Sequence, residues 1–376
     1  MIVARSRTSS FHVFHFPLRT TATARWLTMT SFHRTRIRIA TLRNLLGVLV
    51  ILAAKQILFS GPIAAPEVGH SYPASYADCQ SLECIRHHAR SFARPWPQSP
   101  DWKNIVLIKV PKSASSTAAG VVLRMGAHRS NSTVAWEHRK ASTYHHDQPN
   151  TFWLAPIRDP GRRHLSSLYF HTISFHGRRN SVPSDRFVLE KLQSADSNFI
   201  ADYTSFENRT RWSEEEVASL AQSYNMLLVV ERLDESLVAL AFVAGVAITD
   251  VLSLSSKIGG SYYRTGRNKC IQLSNPVVTP ALRDYFASPE WIRRHATDLL
   301  LHAIADLSLD ATLALLPPGS VDKFRRLQKD VSEVCQRETR FPCSAEGQPQ
   351  EHNCYTRDFG CGYECIDRFV SPMPAQ

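Results

Sequence analysis

The chain has no G-x-x-x-x-G-K-[ST] loop, no acidic residue in its first 66 positions and no C-x2-C pair. The first absence excludes an ordinary nucleoside-triphosphate loop, whose glycines let the backbone wrap the phosphates. The third removes the usual knuckle of a structural zinc site. The second concentrates the charge. Residues 1–66 hold eight Arg and Lys55, so +9 of the formal +11 sits there, and the remainder carries 35 basic against 33 acidic residues. A nucleic-acid binder needs a basic face on its folded domain, with interleaved aromatics for single strands, and the nearly neutral body offers no such stripe. No nucleic-acid partner is expected. There is no internal repeat and no low-complexity tract.

Long apolar runs are also scarce. The run 45–54 has ten residues, and Ile57-Leu58-Phe59 extends it unevenly past Lys55. That is short of the roughly 20 residues that span a bilayer, although Lys55 can snorkel near an end. Arg34, Arg36, Arg38 and Arg43 precede it, which by the positive-inside rule places the N-terminus in the cytosol and the chain beyond Gly61 in a lumen. The reading is a basic cytosolic tail over 1–44 and a type II signal anchor over 45–60, making the membrane a partner. A cleaved signal peptide and an organelle transit peptide are the alternatives.

What is present agrees with a lumen. The eight cysteines form an even set, and five of them fall within the last 42 residues, the pattern of a disulfide-stapled tail in an oxidising compartment. A zinc site from Cys354, Cys361 and Cys365 is the competing reading. Asn131-Ser132-Thr133 and Asn208-Arg209-Thr210 are glycosylation sequons. The expected organisation continues with a stem over 61–100, a catalytic domain over 101–320 and a Cys-rich extension over 321–376.

The chemistry begins at Asn104-Ile-Val-Leu-Ile-Lys-Val-Pro-Lys-Ser-Ala-Ser-Ser-Thr117. An apolar strand runs into a turn of Lys112 and hydroxyls that opens a helix from about Ser116, and free N–H groups at a helix start attract anions. A second unit, Thr151-Phe-Trp-Leu-Ala-Pro-Ile-Arg158-Asp159-Pro160, ends a strand on an arginine and continues into a helix carrying Ser166 eight positions later. The Arg158 fork suits a phosphate, and Ser166 lies about two turns along, able to face the same anion. Strands at 104–110, 151–157 and 226–231 alternate with helices. This pattern predicts an α/β fold with a doubly wound parallel sheet and ligands at the C-terminal strand ends.

Both units resemble the donor-binding elements of the Golgi carbohydrate sulfotransferases, the galactose 3-O-sulfotransferases above all. Met226-Leu-Leu-Val-Val-Glu231-Arg-Leu-Asp-Glu-Ser-Leu-Val resembles the family's next strand-to-helix element, and the similarity runs from about Asn104 to Leu316. The resemblance implies a sulfotransferase fold with a P-loop-like core that binds 3′-phosphoadenosine 5′-phosphosulfate (PAPS). Lys112, Ser113, Ala114, Ser115, Ser116 and Thr117 would hold the 5′-phosphosulfate, with Lys109 in support, while Arg158 and Ser166 would hold the 3′-phosphate. The glycine loop around Gly260 and Gly266 resembles the late 3′-phosphate clamp of the cytosolic sulfotransferases, which would give that role to Arg264 or Arg267, with a flexible surface loop as the alternative reading. No metal is implied. A sugar hydroxyl of a glycan would accept the sulfuryl group, Lys112 would offset charge on the departing oxygen, and the enzyme would be a single-pass Golgi membrane protein.

The acceptor proton needs a base. His138, followed by Arg139, best matches the family pattern between the two donor motifs; His145 and His146 compete. His164, His171 and His176 read as helix-surface residues, and Trp153 and Trp291 as packing residues. Two other functions stay open on the residues alone: a catalytically silent lumenal glycan-binding protein, and an atypical ATP-using enzyme.

Overall fold

The computed structural model describes residues 72–175, 183–209, 211–254, 260–266, 268–356 and 359–371. The expected tail and anchor over 1–60, with His176, Thr210 and Arg267, lie outside the described residues. Among the described residues no helix is long and apolar enough to cross a membrane.

Four parallel strands form the central sheet: β1, Asn104–Leu107; β2, Thr133–Ala135; β3, Thr151–Ile157; and β4, Met226–Val229. Their order is β2-β1-β3-β4, with Asn104 opposite both Thr133 and Thr151 and Leu154 opposite Met226. Chain order therefore reverses between β1 and β3. Ile105, Leu107, Phe152, Leu154 and the whole of β4 are buried, as expected of parallel strands covered on both faces. Each such Leu, Ile or Phe stabilises the fold by about 1.5–3 kcal/mol.

Two strands are shorter than their apolar runs suggest. Ile108 still donates to the Leu154 carbonyl at 2.8 Å, but the Val110 N–H turns back to the Ile108 carbonyl at 2.9 Å. At β4 the chain coils into a 3-10 turn over Val230–Arg232. After β1 comes the helix Ser115–Ala127, buried at every position from Ala118 to Gly126. After β3, Asp159 caps the helix Pro160–Leu168 by accepting from the Arg162 N–H at 2.8 Å. Pro160 at the helix start leaves no N–H unpaired there. That helix continues into a π-helical turn, Tyr169–Ser174, a local widening that recurs at functional sites.

The segment expected to be an irregular stem is, from Pro73 onward, part of the fold. The helix Leu82–Arg90 packs along the long helix Ala296–Leu313, and Tyr76, Cys79, Ile85, Ala89 and Trp96 are all buried. The Trp96 N–H donates to Thr312 Oγ1 at 2.9 Å. His164 corrects another expectation: it is buried against Trp291 and His295. Trp153 and Trp291 are core residues, as expected.

All eight cysteines are paired, as Cys79–Cys84, Cys270–Cys343, Cys335–Cys365 and Cys354–Cys361. The zinc reading fails, because Cys354, Cys361 and Cys365 all spend their sulfurs on disulfides. Two antiparallel hairpins carry two of the four links: β5, Tyr262–Arg264, with β6, Cys270–Gln272; and β7, Cys354–Thr356, with β8, Phe359–Cys361.

The C-terminal region packs directly on the helix Ser115–Ala127. A Cβ on Gly120 would stand 2.7 Å from the Gly360 nitrogen, so only glycine permits this approach. Arg124, 2 % exposed, donates to Asp367 at 2.8 Å and to the Thr249 carbonyl. His128 closes the cluster, lying 2.9 Å from Asp250 and 3.2 Å from Asp367. The hydrogen bond to Asp250, followed by that to Asp367, raises His128 to about 9. A folded pKa above the unfolded value of about 6.5 means stabilisation that is complete below that pH and lost as pH rises through 9. His128→Gln should therefore melt below the parent protein at pH 6, with the gap closing towards pH 9.5. Melting curves across that range test this, and a pH-independent gap would refute it.

Candidate functional site

The reversal of strand order between β1 and β3 opens a crevice at their C-terminal ends, the usual ligand position in an open α/β sheet. A cavity of about 560 Å³ occupies it, within the range of small-molecule sites. Lys112, Ala114, Ser115, Ser116 and Thr117 line one wall, Arg158 and Ser166 another, and His138 stands between them. Two sequence motifs and an isolated histidine thus meet on one surface.

The first wall is built on unusual backbone. Lys112 and Ala114 adopt φ of 66° and 49°, the left-handed region, which costs a non-glycine residue about 1–2 kcal/mol. Strain of this kind gathers at functional sites. Ala114 stands at the helix N-terminus and no side chain caps it. The first intrahelical bond runs from the Ala118 N–H to the Ala114 carbonyl at 3.1 Å, so the preceding N–H groups and the positive end of the helix dipole are available to an anion. The Lys112 ammonium lies 3.6 Å from the centroid of the Phe170 ring, a cation–π contact.

Arg158 connects the walls. Its Nη1 donates to the Lys112 carbonyl at 3.2 Å, and its Nε lies 3.6 Å from Glu231. Burial lowers the Arg158 pKa, partly offset by the Glu231 charge, and the guanidinium remains a cation. Glu231 also accepts from the Asp159 N–H at 3.3 Å and pairs with His302 at 3.2 Å. Burial pushes the Glu231 carboxyl upward, but His302 and the Asp159 N–H hold it below its ordinary value. The carboxylate thereby fixes the arginine that faces the cavity.

His138 has a defined tautomer. Its Nδ1 lies 2.8 Å from the Lys109 carbonyl, which can only accept, so Nδ1 carries the hydrogen and Nε2 of the neutral ring is the basic nitrogen. His145 is exposed, and His146 bonds the Ser223 carbonyl at 2.9 Å while packing on Trp153 and Phe206. Ser223 precedes β4, so His146 belongs to the opposite end of the sheet from the cavity.

Three expected donor residues are placed elsewhere. Lys109 is 4 % exposed, with its ammonium 4.2 Å from the Phe359 ring centroid and 5.8 Å from that of Trp136; it points into packing, not into the cavity. Ser113 is fully buried and its Oγ has no hydrogen-bond partner. Arg264 pairs with Asn268 and donates to the Gln350 carbonyl at 3.0 Å. Its neighbour Tyr263 lines the cavity instead, because successive strand residues face opposite sides. The glycine loop contributes to the site, but through its tyrosine.

Phe170, His171 and Tyr263 complete the lining. The Phe170 and Tyr263 rings meet at 5.3 Å. Burial, then the Lys112 charge, pulls His171 below the ordinary histidine value, so this ring, expected on a helix surface, faces the cavity uncharged. The sequence signal for Phe170 and His171 is weak: they follow the second motif in a helix whose register shifts at the π turn.

Comparison with protein-family models, with curated proteins and with solved structures gives no match.

Burial lowers the His302 pKa and Glu231 raises it, with a net upward shift. Glu231→Gln should bring the His302 titration down, as read by NMR of the histidine side chains. An unchanged His302 titration would show that the pair is not formed.

Proposed function

We propose that this chain transfers a sulfuryl group from PAPS to a carbohydrate hydroxyl. The observation that carries the reading is the convergence of Lys112, the uncapped helix start, Arg158, Ser166 and His138 on one cavity at the strand-order reversal. An adenosine carrying a 3′-phosphate and a 5′-phosphosulfate needs two separate anion sites. Lys112 with Ser115, Ser116 and Thr117 supplies one, and Arg158 with Ser166 the other. Among the described residues the cavity has no acidic lining residue, which suits a polyanion.

The residues divide the work. His138 Nε2 accepts the proton of the acceptor hydroxyl as its oxygen bonds to sulfur. The bond between sulfur and the bridging phosphate oxygen breaks, and 3′-phosphoadenosine 5′-phosphate departs. Lys112 leaves the face of Phe170 to meet the negative charge that grows on that oxygen, a stabilisation realised mainly in the transition state. Arg158, held by Glu231, orients the donor so that attack is in line. The four disulfides and the exposed Asn131 of the first sequon support an oxidising, secretory setting. The proposed location is the Golgi membrane with the catalytic domain lumenal and the segment 45–60 as anchor.

Two measurements test this. 3′-Phosphoadenosine 5′-phosphate should raise the melting temperature of the protein more than ATP does at equal concentration; a preference for ATP would overturn the donor assignment. Labelled PAPS incubated with a glycan panel should yield a sulfated product. Lys112→Ala should remove at least 99 % of that activity with the melting temperature retained. His138→Ala should lower kcat about 10²–10⁴-fold, the usual worth of a general base, with little change in donor affinity; full activity in the His138 variant would exclude its role.

A further inference from the structure

We infer that Phe359, in the disulfide-closed hairpin near the C-terminus, is a positioning residue for His138. The chemistry of His138 rests on the proposed function; its positioning does not. The hydrogen bond that fixes the His138 tautomer has two ends, and the Phe359 ring packs beside both, on the side chain of Lys109 and on Trp136. On the acceptor side, Lys109 supplies the carbonyl at 2.8 Å, and its ammonium lies 4.2 Å from the Phe359 centroid. On the donor side, Trp136 stands two residues before His138 and meets Phe359 edge-on at 4.8 Å. Phe359 is 7 % exposed and Lys109 4 % exposed, so the cation–π contact is largely shielded from water, where such contacts are strongest.

The hairpin that carries Phe359 is itself anchored. Cys354–Cys361 closes it, and the Gly360 backbone abuts Gly120 on the cradle helix. On the far side of Lys109, the chain is held by the Ile108 N–H on the Leu154 carbonyl at 2.8 Å. The Lys109 peptide therefore sits between the sheet and the hairpin. Losing the ring on the hairpin side removes packing from the Lys109 side chain, weakens the His138 Nδ1 hydrogen bond to its carbonyl and populates the other imidazole tautomer. In that tautomer Nε2 carries the hydrogen and accepts no proton.

The test uses the full chain carrying Phe359→Leu, which keeps apolar volume but removes the aromatic face, with Phe359→Tyr as the conservative variant. NMR of the histidine side chains should show His138 as the Nδ1–H tautomer in the parent and in Phe359→Tyr, and as a mixture in Phe359→Leu. In turnover, Phe359→Leu should lower kcat at least tenfold while the Kd for 3′-phosphoadenosine 5′-phosphate stays within twofold, and Phe359→Tyr should recover most of kcat. A single Nδ1–H tautomer in Phe359→Leu, or kcat within twofold of the parent, would overturn the inference. If the parent transfers no sulfate, the proposed function fails and the tautomer alone decides the role of Phe359. Should Phe359→Leu not fold, Trp136→Leu, which removes the ring between Phe359 and the His138 segment, answers the same question by the same two readouts.

Discussion

The hydrogen bond from Arg158 to the Lys112 carbonyl joins the ends of β1 and β3, and the cavity depends on it. Either strand end alone presents a cation to solvent. Joined, they face two cationic side chains and a helix N-terminus into one space, with the like charges kept apart because one guanidinium arm is occupied by a neutral carbonyl. The left-handed turn at Lys112 belongs to this arrangement. Glu231 completes it from the 3-10 turn after β4, lending negative charge to the outer edge of Arg158 without entering the cavity.

Much of this was legible in the residues, for physical reasons that differ by element. β1 and β3 are continuous apolar runs, and the helix after each begins with its own chemical mark: hydroxyls in one case, Asp159-Pro160 in the other. Arg158 at the end of β3 and Ser166 on the helix that follows both line the cavity, as the strand-to-helix unit foretold. Lys109 was legible only as two alternatives, facing the donor or turned away from it, because its direction depends on where β1 stops, and the expected strand ran to Val110, three residues past the last strand residue. Tyr263 was missed for a related reason, since the strand character of a basic, glycine-punctuated loop comes from its hairpin pairing with Cys270–Gln272. Glu231 was marked only as part of the third strand-to-helix run; its role beside Arg158 exists only once β3 and β4 lie side by side.

The stem shows the same limit. Residues 72–100 are rich in proline and polar residues, and nothing in their periodicity distinguishes a linker from a strap. Their few apolar side chains find places along the helix Ala296–Leu313, more than 200 positions away. The cluster around Arg124 likewise gathers residues from three distant segments. Contacts of such separation form slowly but hold the C-terminal region against the cradle helix once made.

The order of the disulfides has one more consequence. Cys270–Cys343 and Cys335–Cys365 interleave, and Cys354–Cys361 lies inside the second. A single cut of the backbone at any point between Cys270 and Cys365 leaves the two pieces covalently joined. In a compartment where proteases are present, the hairpin bearing Phe359 outlasts the integrity of the chain that made it, and a nicked molecule keeps the same parts in reach of one another.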